Sequence, residues 1–427
     1  MDRLQDQDRG AGSLTPLLEK SRVGWDVLEH RYGALLRLVD TVLGVVPNCD
    51  PYLEIWPPAF RTYNIMVPNL LNLPVPVLRL GGPPPEVVGL AMYVASRTAH
   101  CPYCSAHSCS FAMRRGAAPD KVAAALVPDR TSFSRGELAA IAVARSLARI
   151  PCELTAGERG ELVDVYGERN AEWVALGAVM MGFLNKFMDS IGVELEQSVV
   201  SEVSATMGPD WSPGKAGTQL DPATPERPAP AADGLRTKLR LLPLLPAAIR
   251  FDRRWQRATP SGWPDVATFL SERTGHDFPV LERLHSRRAR RSIASMLRQN
   301  LDPASSVVGI ELKVLVGAIF AEVVADERLA DDIGALARHA GIDGEKLRDA
   351  IAYAGGDDTA SPAGASTETA SLALARAASY SPARTDASIV EACRESGVSP
   401  AAVVEIITWL SVLQMLHRLT CYLTAGD

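Results

Sequence analysis

Cysteine is sparse in this sequence, 7 in 427 residues, and the number is odd. A scattered odd set without a secretory leader is not a disulfide framework. The start, Met1-Asp2-Arg3-Leu4-Gln5-Asp6-Gln7-Asp8, lacks the basic and apolar regions of a signal peptide, so a cytoplasmic location is expected. No run of about 18 apolar residues stands out, so no membrane span is expected. Residues 241–249 are apolar, but Pro243 and Pro246 interrupt them. Excess positive charge is missing too: with net charge -6 and a pI near 5.8, a general nucleic-acid partner is not favoured. Strand-like alternation is scarce. No phosphate-loop, dinucleotide, zincin or esterase signature occurs in suitable context, so no cofactor and no metal is expected.

What is present reads as helix. The chain is 47% hydrophobic and 22% charged, ordinary for a globular protein with real cores. Leu28, Leu35, Leu38 and Leu43 recur near the helical period within 23–46. Further helices are expected over 86–99, over 101–115 with Gly116 at its end, and over 170–191. Another follows Ser132-Phe133-Ser134-Arg135-Gly136-Glu137, where a serine can cap the helix start, and Thr155-Ala156-Gly157-Glu158 has capping-box spacing. The fold class expected is all-α.

Residues 1–20 read as a loose tail and 21–206 as a helical domain. Residues 207–234, with Pro209, Pro213, Pro222, Pro225, Pro228 and Pro230, read as a linker to a second helical domain over 235–427. The second domain weakly echoes the first. Trp56-Pro57 is matched by Trp263-Pro264, the stretch 89–95 by 311–317, and 183–187 by 415–419, in the same order.

The chemistry concentrates in Cys101-Pro102-Tyr103-Cys104-Ser105-Ala106-His107-Ser108. On a helix, Cys101, Cys104 and His107 (or Ser108) share one face. That arrangement suits a dithiol that opens and closes as a disulfide with a base beside the nucleophilic sulfur. Two bland alternatives remain: buried thiols acting as small hydrophobes, or a metal site with three ligands and no evident fourth. Cys49, Cys109, Cys152, Cys393 and Cys421 read as structural. Arg287, Arg288, Arg290 and Arg291, with Arg250, Arg253, Arg254 and Arg257 upstream, read as a solvated face or a site for an anionic partner.

The CxxC with its nearby histidine, the helix before it and the later stretch Phe183-Leu184-Asn185-Lys186-Phe187-Met188-Asp189-Ser190-Ile191-Gly192-Val193 resemble the alkylhydroperoxidase D-like, or carboxymuconolactone decarboxylase, family. The resemblance covers about residues 50–198 and reaches 260–425 only through the repeat. It implies an all-α fold, here as two tandem repeats. It also implies that Cys104 attacks a hydroperoxide oxygen and Cys101 resolves the sulfenic acid. The family's carboxylate position falls on Gly89 and its histidine position on Ser108, with His107 one residue earlier. Glu86, one turn before Gly89, is a candidate proton relay, and His100 a substitute. In the second repeat Glu311 holds the carboxylate position, while the cysteine positions fall on Val323 and Asp326.

The function expected is therefore a thiol-dependent oxidoreductase that reduces hydroperoxides. It would act on a small-molecule substrate and draw electrons from an external dithiol, either a reductant protein or a lipoyl-type donor. The alternatives are a lyase, isomerase or tailoring enzyme of the decarboxylase branch, and a non-catalytic helical scaffold or redox sensor. The resemblance also implies assembly as a homo-oligomer.

Overall fold

A computed structural model of the chain describes residues 13–208, 211–213, 220–223, 227, 229–230, 232–356 and 366–427. The fold is all-α, as expected. Its sole strand pairing among the described residues is a parallel pair of two-residue strands, Leu195–Glu196 and Leu220–Asp221.

The local signals place the helices. Helix Trp25–Leu43 buries Leu28, Leu35, Leu38 and Val42, the stripe its period provides. Ser134 with Glu137, and Thr155 with Glu158, form reciprocal capping boxes at the starts of Arg135–Ala148 and Ala156–Tyr166. Gly116 takes φ 106 just past Pro102–Arg114.

Residues 1–12, and much of the expected linker, lie outside the described residues. The remainder of the expected loose tail is docked instead. Leu14 and Leu18 are fully buried, and the Leu14 N–H donates to the Ile191 carbonyl at 3.0 Å. Two apolar side chains hold this segment, and their burial outweighs the freedom a polar tail would keep.

The core runs continuously through both halves. Its axis is a pair of long helices, Glu168–Ile191 and Pro400–Thr424, packed against each other. A Cβ on Gly182 would lie 2.9 Å from the Gln414 carbonyl, so glycine permits the close approach. Both helices are long and apolar enough to cross a membrane, but 89% of the apolar window of each is buried inside the protein. The expectation of no such run is thus corrected; these are core helices, hydrophobic nearly all round because neighbours surround them.

Each axial helix also sends a buried cation towards the other half. Lys186 Nζ donates to the Ala378 and Ser379 carbonyls at 2.9 and 2.8 Å and to Tyr380. Arg418 donates to the Ala178 carbonyl at 3.0 Å. Burial pulls Lys186 down to about 7 and Arg418 down to about 10.

Candidate functional site

The dithiol is held by a tight turn between two helices. After helix Pro85–Thr98, His100 adopts a left-handed φ of 54, and the Cys101 N–H turns back to the Ser96 carbonyl at 3.2 Å. Cys101 then caps helix Pro102–Arg114, its Sγ accepting the Cys104 N–H at 3.4 Å. A thiol thus does what a Ser or Asp side chain usually does at a helix start. Pro102 fits the first helical position because its missing N–H would have had no partner there.

The bond from the Cys104 N–H sets the Cys101 sulfur beside the Cys104 thiol. Both residues are buried, Cys101 at 0% and Cys104 at 3% exposure. Burial raises the Cys104 thiol well above its ordinary value, and the adjacent Cys101 and the negative charge of Asp189 add to it. At rest Cys104 is therefore a thiol, and attack requires a group that takes its proton. Cys104, Tyr103, His107 and Ser108 line a cavity of about 60 Å³ whose remaining wall is apolar, including Met92, Met180, Met181 and Met188.

A buried carboxylate faces this helix. His107 Nε2 lies 2.7 Å from Glu196 Oε2. Glu196 Oε1 accepts the Tyr103 hydroxyl at 2.8 Å and the Asn48 N–H at 2.6 Å. The Tyr103 ring stacks on His107 at 4.4 Å between centroids. Burial alone would raise Glu196, but the charge and hydrogen bond of His107 and the backbone donors outweigh it and hold the carboxyl below its ordinary value. An ionised carboxylate therefore orients the imidazole that shares the cavity with Cys104. Nothing near the CxxC announces Glu196. The signal, an acid four residues after the glycine that ends an apolar helix, gains meaning only when the short strand carries it back into the core.

Behind this pair lies a second acidic group. Asp50 is 1% exposed, and among the described residues neither carboxyl oxygen has a hydrogen-bond partner. Burial, then the charges of Glu196 and Glu54, push it up to about 8. It is thus protonated at neutral pH and can donate. The adjacent Cys49 thiol, expected to be merely structural, lies beside Tyr63, and burial, then the charge of Asp50, raises it well above its ordinary value, so it rests neutral.

The other sequence candidates fare differently. Ser108 lines the cavity, but its hydroxyl donates to the Cys104 carbonyl at 2.5 Å. Glu86 is not brought to the dithiol. It sits half-buried in the first turn of its helix, where its charge acts on Tyr166, and it does not line the cavity. Met92 is the residue of that helix that reaches the cavity, about 9 Å further along the axis at 1.5 Å per residue. His100 is exposed in the turn. Gly89 leaves no room for a carboxylate: a Cβ there would lie 2.6 Å from the Ala112 Cα, because the two helices touch at this point.

The same turn recurs after helix Gly309–Val324. Ala325 has φ 53, and the Asp326 N–H returns to the Ala321 carbonyl at 3.1 Å. Asp326 caps helix Glu327–His339 by accepting the Leu329 N–H at 3.0 Å. By this geometry Asp326 stands where Cys101 does and Leu329 where Cys104 does, rather than Val323 and Asp326 in the cysteine places. Asp326 Oδ2 lies 2.6 Å from His417 Nδ1, and Cys421 Sγ lies 3.9 Å from the same nitrogen. Cys152 and Cys421, far apart in sequence and expected to be unpaired, hydrogen-bond to each other here.

The chain matches no family profile and no curated protein. Among solved structures it is similar to the apo form of the debrominase Bmp8, at 22% identity and a TM-score of 0.37. That match covers 43% of this chain and 95% of that one. A substituted form of the same debrominase, in complex with 2,3,4-tribromopyrrole, aligns over the same shares at 21% identity and TM-score 0.37.

Proposed function

We propose that this chain is a thiol-dependent oxidoreductase of alkylhydroperoxidase D-like build, and that it reduces hydroperoxides at Cys104 with Cys101 as resolving thiol. The observation that carries the reading is the cap. Cys101 Sγ accepts the Cys104 N–H at 3.4 Å, which sets it beside the Cys104 thiol, and Cys104 lines a cavity that His107 shares.

The chemistry balances as follows. The Cys104 proton passes to His107, which Glu196 holds by a 2.7 Å contact. The Cys104 thiolate attacks the terminal oxygen of the hydroperoxide, an S–O bond forms, the O–O bond breaks, and the departing alkoxide takes a proton to leave as an alcohol. Cys101 then attacks the sulfenic sulfur, a disulfide forms, and water leaves. An external dithiol returns the two electrons. The repeated turn at Asp326 carries no such pair, so one half does the chemistry. In this reading helices 309–424 repeat helices 85–191 and brace the site.

Purified protein supplied with an organic hydroperoxide and a dithiol should consume peroxide, and mass spectrometry should find a Cys101–Cys104 bond during turnover. Cys104→Ser should abolish consumption; unchanged turnover in that variant would overturn the assignment.

One observation favours a second reading, a lyase or isomerase of the decarboxylase branch. Asp50 supplies a neutral buried acid close enough to Glu196 to respond to its charge, a group suited to proton transfer on a small metabolite without the thiols. Full activity on such a metabolite with both cysteines replaced would support it.

A further inference from the structure

A second cavity, larger than the one over Cys104, adjoins it. It is a chamber of about 520 Å³, within the ordinary range for small-molecule sites. Its walls are chiefly Leu and Val side chains from helices Trp25–Leu43, Pro57–Leu70 and Leu245–Gln256. Four residues, Leu43, Tyr63, Val67 and Leu71, line both this chamber and the Cys104 cavity, so the two spaces lie on either side of one wall.

The opposite end is cationic. Arg253, Arg287, Arg288 and Arg291 line it, with Asp252 as the sole acidic residue of the lining. Arg288 and Arg291 donate to neutral acceptors, which orient them, while the Asp252 carboxylate offsets part of the Arg288 charge and leaves this end of the chamber net positive. Arg288 Nε donates to Asn69 Oδ1 at 2.7 Å and Nη1 to Asn72 Oδ1 at 3.2 Å, and Arg291 Nε donates to the Gln256 carbonyl at 3.2 Å. Asp252 in turn accepts from Asn69 at 2.8 Å and from Gln256. Arg253 and Arg287 are exposed and mark the mouth.

We propose that this chamber binds an amphipathic organic acid, its carboxylate at the arginine end and its apolar chain along the leucine and valine walls towards Tyr63. Resting on the peroxidase reading, the substrate class is then a hydroperoxide of such an acid, with the oxidised end at the wall shared with Cys104. Fixed guanidiniums that outnumber the one carboxylate beside them recognise a carboxylate by paired hydrogen bonds, and an apolar chamber recognises the chain by area. Neither element alone needs the other; their union in one cavity specifies a ligand with both ends.

The test separates binding from turnover. In the full chain carrying Cys101→Ser and Cys104→Ser, binding of a medium-chain fatty acid and of its methyl ester is measured by calorimetry. The acid should bind saturably and more tightly than the ester. Arg287→Gln with Arg291→Gln should weaken the acid at least about tenfold while leaving the ester unchanged. Absence of saturable binding, or equal binding of acid and ester insensitive to the arginines, would overturn the proposal. Val67→Trp, which fills the chamber, should abolish acid binding in protein whose helical circular dichroism is unchanged. In the wild type, peroxide consumption that treats acid and ester hydroperoxides alike would sink this proposal and spare the peroxidase reading. Acid binding without peroxide consumption would do the reverse.

Discussion

Two turns of nearly identical backbone sit at the two ends of the core, and they hold different chemistry. At Ser96–Cys104 and at Ala321–Leu329 a left-handed residue precedes an N-cap whose N–H bonds back to the fifth residue before it. The first cap is a thiol, and its partner one turn on is another thiol facing a cavity. The second cap is a carboxylate, and its partner is buried Leu329. The difference teaches that the turn is a structural device. It fixes a side chain at a helix N-terminus, and the residue placed there decides whether a thiol or a carboxylate stands at that end. The surrounding charges follow suit. Around the first turn His107 is held by Glu196 and borders open space. Around the second, His417 is held by Asp326 and its Nε2 is buried without a hydrogen-bond partner among the described residues.

Glu196→Gln attacks the reactive turn most directly. It keeps the shape and removes the carboxylate that holds and orients His107, so in the proposed mechanism peroxide turnover should fall about 100-fold, read from initial rates. Its acid stability should change as well. Because the folded value is depressed below 4.5, the stability Glu196 contributes is present above that pH and lost as pH falls through the folded value. The variant should lack this acid-side loss in denaturant melts across pH. A wild-type rate in Glu196→Gln would erase the functional half of the comparison.

The helix pairs that carry the two turns can be compared by a single methyl. Gly89→Ala drives a Cβ to 2.6 Å from the Ala112 backbone, which cannot yield, and should cost about 2 kcal/mol. Gly317→Ala meets the end of the Ile333 side chain at 2.5 Å, which can rotate, and alanine is the better helix former. Its cost should stay below about 1 kcal/mol in urea midpoints. Equal costs would show that the two crossings are packed alike.

Smaller effects should come from two buried aspartates that titrate in opposite senses. Asp50 is raised to about 8, so its contribution is full below the ordinary value of 3.8 and is lost as pH rises to about 8. Asp50→Asn should therefore be more stable than wild type at pH 8, by about 1–2 kcal/mol, and equal to it near pH 3. For Asp326, burial would raise the carboxyl, but the hydrogen bond and charge of His417 lower it below 3.8. Asp326→Asn should lose about 1–2 kcal/mol at pH 7, with the deficit closing as pH falls below the ordinary carboxylate range. Parallel pH curves for the two variants would contradict the contrast between the turns.

The helical class, the capping boxes at Ser134 and Thr155, the helix carrying the CxxC and the cavity-lining places of Cys104, His107 and Ser108 were all legible in the chain. Each rests on residues within a few positions of one another, where period, cap and proline rules act. Glu86 was misplaced because helical spacing gives the face of a residue but not how far along the axis a cavity opens. Glu196, Asp50, the Cys49–Tyr63 contact and the Cys152–Cys421 pair were invisible because nothing local distinguishes a buried acid or thiol from an exposed one.

The sequence by itself determined that a dithiol would cap and occupy the first turn of a helix in an all-α protein, since backbone propensity and helical geometry require only near neighbours. Tertiary structure alone decided what surrounds that dithiol. The return of the chain after Ile191 brings Glu196 to His107, and the touching helices at Gly89 exclude a carboxylate there. The packing of helix Leu245–Gln256 over Trp25–Leu43 encloses the arginine-ended chamber beside it. These depend on burial and on contacts between distant segments, and such contacts exist only once the core has formed.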